Sequence, residues 1–378
     1  MNDSQIEKLP TVYFPNLDAC RFIAAFSVFL LHFSNEILAL FPWIKTNFLV
    51  KAVYLFTSKG ALGVNFFFVL SGFLITYLIL VEKNRTGSFH LGKFLIRRTL
   101  RIWPLYFIIG VIGFVIFPLI FSDYSTLHQP LFYFTFLANF DEIWNGANDS
   151  INFLTSPWSV AVEEQFYLFW GILLFLILPN KRIKLPLIIG LIFLLSLGLQ
   201  WLNWQDERII YHHTLAVCQD ILMGAFIGWS ILADKKWIKK ITQLPKWSVL
   251  LIYLLGIGIC LAKNKLFPGQ AIIFERTVIS VFFGFVILDQ INGQHSFFKL
   301  GKIKIFNYLG KISYGIYMYH LVVIYLLLKY IDLVSYGPIG AILILGILSV
   351  GGTFLLSSFS YRYIESKFLS LKNKWATP

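Results

Sequence analysis

The amino-acid sequence predicts an all-α, polytopic membrane protein with about ten transmembrane helices. Of its 378 residues, 57% are hydrophobic and only 13% are charged, and the mean hydropathy is +0.72. A soluble domain is typically about 45–50% apolar and about 25% charged. A chain of this length has too little interior to hide that apolar excess, so soluble, disordered and fibrous classes are excluded.

Ten apolar stretches are long enough to form the spans, because a helix that crosses a bilayer needs about 20 mostly apolar residues. They cover residues 17–40, 62–81, 102–121, 158–178, 186–202, 210–232, 247–262, 272–290, 306–331 and 338–360. The first follows a segment with a single lysine, Lys8, and is too long for a secretory signal peptide. We therefore expect one transmembrane domain over residues 1–378, with no appended soluble domain.

The basic residues orient these spans. If the N-terminus lies inside the cell, the inner segments hold 24 of the 32 Lys and Arg residues, as the positive-inside rule requires. Both termini are then cytoplasmic, and the net charge of +13 needs no nucleic-acid partner. The outer segment 122–157 has no Lys or Arg and carries the acids Asp123, Asp141, Glu142 and Asp149.

That outer segment is the longest connection between spans. Its apolar part, 130–140, is too short to cross the bilayer and predicts an interfacial, amphipathic piece. Tyr124, Tyr133 and Trp144 either stack on a sugar or belong to the aromatic belt at the membrane surface, and the belt is the stronger interpretation.

Ionisable side chains inside spans are unfavourable, so they are the candidate functional residues. In the first span, Arg21 and His32 are eleven residues apart. That is about three helical turns, so both project from one face, about 16 Å apart. This face offers a fixed cation near the inner end and a titratable base deep in the bilayer. The alternative is a snorkelling arginine with a histidine bonded to a neighbouring helix.

Before the third span, Arg98 and Arg101 share a helix face at spacing i, i+3. Paired guanidiniums suit phosphate, because each can donate two hydrogen bonds to its oxygens. From the spacing alone, a basic anchor for anionic lipid head groups is the stronger interpretation.

Two carboxylates open the fourth span, and a second histidine lies in the ninth. Glu164 is about 9 Å below the outer end and His32 about 12 Å below it, so this carboxylate is a candidate to orient the imidazole. The alternative is that Glu163 or Glu164 points into water. His320 falls near mid-membrane, where a lone histidine more often links helices. For Asp220, in the sixth span, we expect structural pairing.

The three cysteines, Cys20, Cys218 and Cys260, are far apart in sequence and include no C-x-x-C pair. An odd number in apolar surroundings indicates buried hydrophobic side chains rather than disulfides or zinc ligands. No metal site is expected.

These features together resemble the integral-membrane acyltransferase-3 family, bacterial O-acyltransferases that modify glycans. Five stretches carry the resemblance, in the order that the family shows. They are Leu17-Asp18-Ala-Cys-Arg21 through His32, Gly63 to Thr76 (GVNFFFVLSGFLIT), Arg97 to Pro104 (RRTLRIWP), Trp158 to Tyr167 (WSVAVEEQFY) and Ile312 to His320 (ISYGIYMYH). With the ten-span plan, they cover most of the chain.

The resemblance implies transfer of an acyl group, most commonly acetyl, from cytoplasmic acyl-CoA to a hydroxyl of a cell-surface or exported glycan. It implies that Arg21 and His32 are needed for activity. Arg98 and Arg101 correspond to the Arg-x-x-Arg of the family. For these two residues, the resemblance therefore makes phosphate binding a stronger interpretation than lipid anchoring. In the resulting mechanism, they bind the phosphates of acetyl-CoA, together with Arg21.

His32 is then the catalytic base that takes the proton from the acceptor hydroxyl. Glu164 either orients His32 or binds the acceptor, while Glu163 and His320 are candidates for substrate contact. Direct transfer and a covalent acyl-His32 intermediate both stay open.

Two departures from the family pattern matter. Many members append a soluble esterase-like domain, whereas this sequence stops about eighteen residues after the last span, so a second transfer step would need another protein. The stretch Tyr363-Ile-Glu365-Ser-Lys367 also lacks the proline of the usual Glu-x-Pro pattern.

The resemblance places the chain in the bacterial cytoplasmic (inner) membrane, where the bilayer, acyl-CoA, a glycan acceptor and other polysaccharide-assembly proteins are the candidate partners. A transporter or flippase for a lipid-linked saccharide is the main alternative, but the sequence lacks the paired, interrupted spans typical of one. A non-catalytic partner of a polysaccharide-assembly machine is a third. Neither the acceptor glycan nor the choice between acetyl, succinyl and longer acyl groups can be read from the sequence.

Overall fold

The computed structural model describes residues 13–122, 124, 126–146, 153–179, 184–233 and 235–372, and within these ranges the chain is helical with no β-strand. The α-helices are α1 (Pro15–Leu40), α2 (Phe48–Thr57), α3 (Leu62–Thr86), α4 (Leu91–Val111), α5 (Phe117–Ile120), α6 (Pro130–Phe134), α7 (Ala138–Asn145), α8 (Trp158–Ile177), α9 (Leu185–Leu202), α10 (Glu207–His212), α11 (Thr214–Leu232), α12 (Lys236–Thr242), α13 (Lys246–Leu266), α14 (Ile272–Asn292), α15 (Lys304–Lys311), α16 (Ser313–Tyr330), α17 (Gly337–Ser360) and α18 (Ser366–Lys372). Short 3₁₀ turns lie at Pro42–Thr46, Gly269–Ala271, Leu300–Lys302 and Leu333–Tyr336, and π-helical turns at Ile112–Ile116 and Tyr361–Glu365. Lys8, Asp123 and Asp149 lie outside the described residues.

Across the described ranges, nine helical segments are long and apolar enough to cross a membrane, and one bent pair of helices makes a tenth. The nine are Pro15–Leu40, Phe48–Thr86, Leu91–Ile120, Trp158–Ile177, Leu185–Leu202, Glu207–Leu232, Lys246–Leu266, Gly269–Asn292 and Leu333–Leu371. The predicted all-α, polytopic fold with about ten spans is confirmed, and the chain is a multi-pass membrane protein.

Several segments are longer than the sequence predicted. The second reaches Phe48–Thr86 instead of 62–81, and the third begins at Leu91 instead of 102. The apolar criterion ended both at charged residues, but helices continue through such residues because long basic side chains extend to the membrane surface.

The ninth predicted span, 306–331, is broken, because α15 and α16 meet at an angle of 70°. In α15, lysines stand at both ends and Leu309 is buried. A Cβ at Gly310 would lie 2.0 Å from the backbone oxygen of Asp18, so only glycine allows this approach to α1. α15 therefore packs across the first turns of α1, and the spanning helix begins at Ser313.

The centre of the bundle is held by close packing and by one buried ion pair. α3 and α11 touch backbone to backbone, since a Cβ at Gly72 would lie 1.8 Å from the oxygen of Ile221. Asp220 on α11 accepts hydrogen bonds from Arg276 on α14, at 2.5 Å, and from Asn65 on α3, at 2.9 Å. The expected structural pairing of Asp220 is confirmed, and it joins three helices.

The three cysteines are free and buried, as expected. In the part of the chain that the structure describes, no group of three or more His, Cys, Asp or Glu side chains could hold a metal ion.

The outer segment forms α6, which packs against α4 and α7, and α7, which packs against α8 and α10. Of its three aromatic candidates for sugar stacking, Tyr133 is buried against Tyr106, with 4.5 Å between ring centroids. Tyr124 packs edge-on against Phe117. Trp144 alone of the three is largely exposed, at 63%.

Candidate active site

A cavity of about 110 Å³ brings together most of the polar residues that the sequence singled out. It lies between α1, α3, α4, α8 and α16. Its polar lining consists of Arg21, Ser71, Arg98, Arg101, Ser159, Glu163, Tyr167, Ser313, Tyr314 and Tyr317. Arg21 on α1 thus converges with the α4 pair Arg98 and Arg101 on one small space.

Each arginine reaches the cavity differently. Arg21 forms an ion pair with Asp18, one turn earlier on α1. The Arg98 guanidinium lies 5.5 Å from the ring centre of Tyr167 and 5.8 Å from that of Phe94, so two cation–π contacts hold it. Arg101, one turn further along α4, is exposed. Converging guanidiniums of this kind make a site for a phosphate or carboxylate anion.

Glu163 lies in the cavity, not in water. Its carboxylate accepts hydrogen bonds from Ser71, at 2.8 Å, and from the Tyr167 hydroxyl, at 2.5 Å. The Tyr167 hydroxyl is also 3.0 Å from Ser71. Glu163 and Tyr167 are four residues apart on α8, so they share a helix face. Sequence reasoning missed Tyr167, although this spacing was visible.

His32 and His320 are brought together between α1 and α16, with 5.2 Å between their ring centroids. His320 Nδ1 is 2.7 Å from the backbone oxygen of Tyr317. A carbonyl oxygen only accepts, so Nδ1 carries the proton and Nε2 is the acceptor nitrogen of the neutral ring. Within the described chain, the buried Nε2 has no hydrogen-bond partner.

One face of α16 connects the cavity with this histidine pair. Tyr314, Tyr317 and His320 recur at intervals of three residues, and the first two line the arginine cavity. Arg21 and His32 lie on the α1 side of the same interface, as their spacing predicted. The tyrosine spacing before His320 was a signal in the sequence that had not been used.

The structure separates Glu164 from the partner that the sequence suggested. Its carboxylate accepts a hydrogen bond of 2.8 Å from the indole N–H of Trp103 on α4, while His32 packs beside His320. Depth in the membrane was a poor guide here, because consecutive residues on a helix point about 100° apart. Glu163 faces the cavity, and Glu164 faces α4.

Residues 14–358 match the family model of an acyltransferase domain. The chain belongs to the acyltransferase-3 family. This acyltransferase-3 chain is 26% identical to the peptidoglycan O-acetyltransferase OatA of Listeria monocytogenes and 27% identical to the O-acetyltransferase OatA of Staphylococcus aureus. Each comparison covers 94% of this chain, and 55% and 57% of the respective relative.

The acyltransferase-3 chain therefore spans about half the length of the curated relatives it matches. No solved structure is significantly similar to it.

Proposed function

We propose that this chain is a membrane O-acetyltransferase that moves an acetyl group from cytoplasmic acetyl-CoA to a hydroxyl of a cell-surface or exported glycan. The observation that supports this most directly is the cavity where Arg21, Arg98 and Arg101 converge, with His32 and His320 further along the same helix interface. The two relatives are named O-acetyltransferases, and the name of one gives peptidoglycan, which supports the O-acetyl transfer in this proposal.

The donor is recognised through its phosphates. Arg98 and Arg101 on α4, with Arg21 on α1, supply forked donors that match phosphate oxygens. The cavity, at about 110 Å³, admits the thioester end of an acyl-CoA but not the nucleotide. We therefore place the nucleotide at the inner mouth and the thioester inside the bundle.

The acyl transfer uses His32 as the general base. The acceptor hydroxyl attacks the thioester carbonyl, its proton passes to His32, and the carbon–sulfur bond breaks. The proton on His32 then reaches the departing thiolate. His320 offers its unprotonated Nε2 as the acceptor for one N–H of His32, which leaves the other ring nitrogen of His32 free to take the proton.

The two glutamates have different roles in this scheme. Glu163 faces the cavity with Ser71 and Tyr167 and is placed to bind the acceptor hydroxyl. Glu164, fixed by Trp103, supports α4 beside Arg98 and does not act on the reacting atoms.

For the whole protein, we propose a single transmembrane domain over residues 1–378 in the bacterial cytoplasmic membrane, with both termini inside. A cysteine at exposed position Arg362 should then react with an impermeant thiol reagent only after the cells are opened. One at Thr135 should react in intact cells. The reverse pattern would overturn the orientation.

The deciding experiment is an assay of purified protein in lipid vesicles with labelled acetyl-CoA and a glycan acceptor. Wild-type protein should release CoA in an acceptor-dependent manner, whereas His32→Ala and Arg21→Ala should not. Lys304→Ala, an exposed lysine on α15, is the matched control and should be fully active. Full transfer by a folded His32→Ala protein would disprove the mechanism.

A further inference from the structure

A second polar cluster lies in the outer segment, away from the arginine cavity. His128 Nδ1 is 2.8 Å from a carboxylate oxygen of Asp141, and Nε2 is 3.4 Å from both Glu142 Oε1 and the hydroxyl of Thr155. The side chains of His128, Asp141 and Glu142 are 9%, 2% and 6% exposed. Three ionisable groups are therefore buried around one hydroxyl, although each is usually found in water.

Asp141 fixes the orientation of the imidazole. It also accepts hydrogen bonds from the backbone N–H of Gln129, at 3.2 Å, and from the Asn145 amide, at 2.7 Å. Burial favours the protonated form, but the hydrogen bonds from His128 and Asn145 outweigh it and lower the pKa of Asp141. The ionised carboxylate holds the proton on Nδ1, so Nε2 is the nitrogen that faces Thr155.

Glu142 gives the cluster a proton acceptor suited to neutral pH. Burial raises the pKa of Glu142 to about 7, although nearby His128 and a hydrogen bond with Thr155 act in the opposite direction. The Thr155 hydroxyl therefore lies beside the His128 imidazole and a carboxyl group whose pKa burial raises to about 7. A carboxylate, an imidazole and a hydroxyl in this order are the arrangement that activates a nucleophile.

Thr155 also lies next to the proposed reaction path. The backbone N–H of Trp158, the first residue of α8, donates to the oxygen of Thr155 at 3.2 Å. The neighbouring Ser156 accepts a hydrogen bond of 2.8 Å from the Tyr317 hydroxyl, which is also 2.7 Å from Ser159. Tyr317 and Ser159 line the arginine cavity, so one turn of chain separates that cavity from Thr155.

We propose that Thr155 is a second nucleophile, which receives the acyl group from the thioester and passes it from the outer face to an alcohol acceptor. This inference rests on the proposed acyltransferase function, and it replaces the direct attack of the acceptor on the thioester with two successive transfers. In the first step, Thr155 Oγ bonds to the acyl carbon, the carbon–sulfur bond breaks, and the hydroxyl proton passes through the His128–Glu142 pair to the departing thiolate, which leaves as the thiol of CoA. In the second, the acceptor hydroxyl attacks the ester, and its proton returns through the same pair to Thr155 Oγ as the ester bond breaks.

The experiment is incubation of the full chain with acetyl-CoA and no acceptor, an acid quench and peptide mass spectrometry. We expect an acetyl ester on the peptide that holds Thr155, and its loss in Thr155→Ala together with loss of transfer. Thr155→Ser should keep both. Thr135→Ala is the matched control, because this exposed hydroxyl of the same segment bonds only to the backbone of its own helix.

His128→Asn and Glu142→Gln extend the test to the proton acceptor. Each should slow formation of the ester by about a hundredfold, the usual effect of losing a general base, with unchanged binding of CoA. Wild-type transfer by folded Thr155→Ala protein, with no ester on Thr155, would overturn the inference and leave His32-dependent direct transfer intact. If neither the wild-type protein nor any variant consumes acetyl-CoA, the proposed function fails as well.

Discussion

The imidazole rings of His32 and His320 lie 5.2 Å apart, centroid to centroid, at an interplanar angle of 48°. The tautomer of His320 is set by the backbone, because its Nδ1–H donates to the oxygen of Tyr317. The pair therefore combines the acceptor nitrogen of His320, which is fixed, with the imidazole of His32, which has its own proton to exchange. This asymmetry assigns the reacting role to His32 and a positioning role to His320 in the proposed mechanism.

Replacing His320 by phenylalanine tests that positioning role, because the ring stays and the acceptor nitrogen is lost. We expect kcat to fall about tenfold, which corresponds to about 1.4 kcal/mol of transition-state stabilisation, with an unchanged KM for acetyl-CoA. The pH profile of kcat should also shift, because in the proposed mechanism the N–H of His32 loses the nitrogen that accepts it. His295→Phe, at an exposed histidine, is the control. An unchanged pH profile would assign His320 to packing alone.

The arginine cavity predicts how donor binding depends on salt. Arg98→Gln and Arg101→Gln should each raise the Kd for CoA about tenfold, because each removes hydrogen bonds between charged groups. The wild-type Kd should rise with ionic strength, and each variant should show a shallower rise. Lys304→Gln on the same side of the protein should behave as wild type. Isothermal titration with CoA measures all four proteins, and equal affinities would favour lipid anchoring by these arginines.

The sequence predicted the helices well and the contacts between them less well. Apolar length is a strong signal in a membrane protein, so the spans around Arg21, Glu163 and Asp220 were found. Apolar length carries no information about rotation around the helix axis, which is why Glu164 was a candidate to orient His32. The break at Ile312 was missed because the predicted span 306–331 was drawn across Lys311 and Ser313, which flank it.

The outer cluster was missed for a different reason. Asp141 lies on the short helix α7, whereas His128 and Thr155 lie in non-helical chain before α6 and after α7, so no helical or strand period relates the three. The acids of this segment were visible in the sequence, but their burial was not. Contacts between residues of one long connection are set by tertiary packing, which hydropathy does not report.

The buried pair of Asp220 and Arg276 should dominate the stability of the α11–α14 contact. Asp220→Asn leaves the guanidinium buried without its counter-charge, so we expect a loss of about 3–5 kcal/mol in the free energy of unfolding. Combining Asp220→Leu with Arg276→Met should recover most of the lost free energy of unfolding. Arg208→Gln, at the exposed pair with Asp206, should cost about 0–1 kcal/mol. Equilibrium unfolding in detergent measures the free energy of unfolding of each variant. If the losses of the two single substitutions simply add in the double variant, the result would contradict the pairing.

The outer cluster predicts a pH dependence of stability that depends on Glu142. Its pKa is raised by burial to about 7 in the folded chain, against about 4.3 when unfolded. A carboxyl group whose pKa is higher in the folded than in the unfolded chain contributes its full stabilisation only below the unfolded pKa. That contribution is lost as the pH rises through the folded pKa. Asp141 works in the opposite sense, because its lowered pKa affects stability only at more acidic pH. Between pH 5 and pH 8, the Tm of the wild type should therefore fall.

Glu142→Gln should make that fall shallower, by an amount on the order of a few °C, because the amide has no proton to release. The measurement is thermal unfolding followed by tryptophan fluorescence at a series of pH values in one detergent. Glu207→Gln, at an exposed acid that begins α10, should keep the wild-type slope. Parallel curves for wild type and Glu142→Gln would mean that Glu142 is ionised in the folded protein throughout this range. Thr155 would then face a permanent carboxylate instead of a proton-exchanging pair, and its activation would rest on His128 alone.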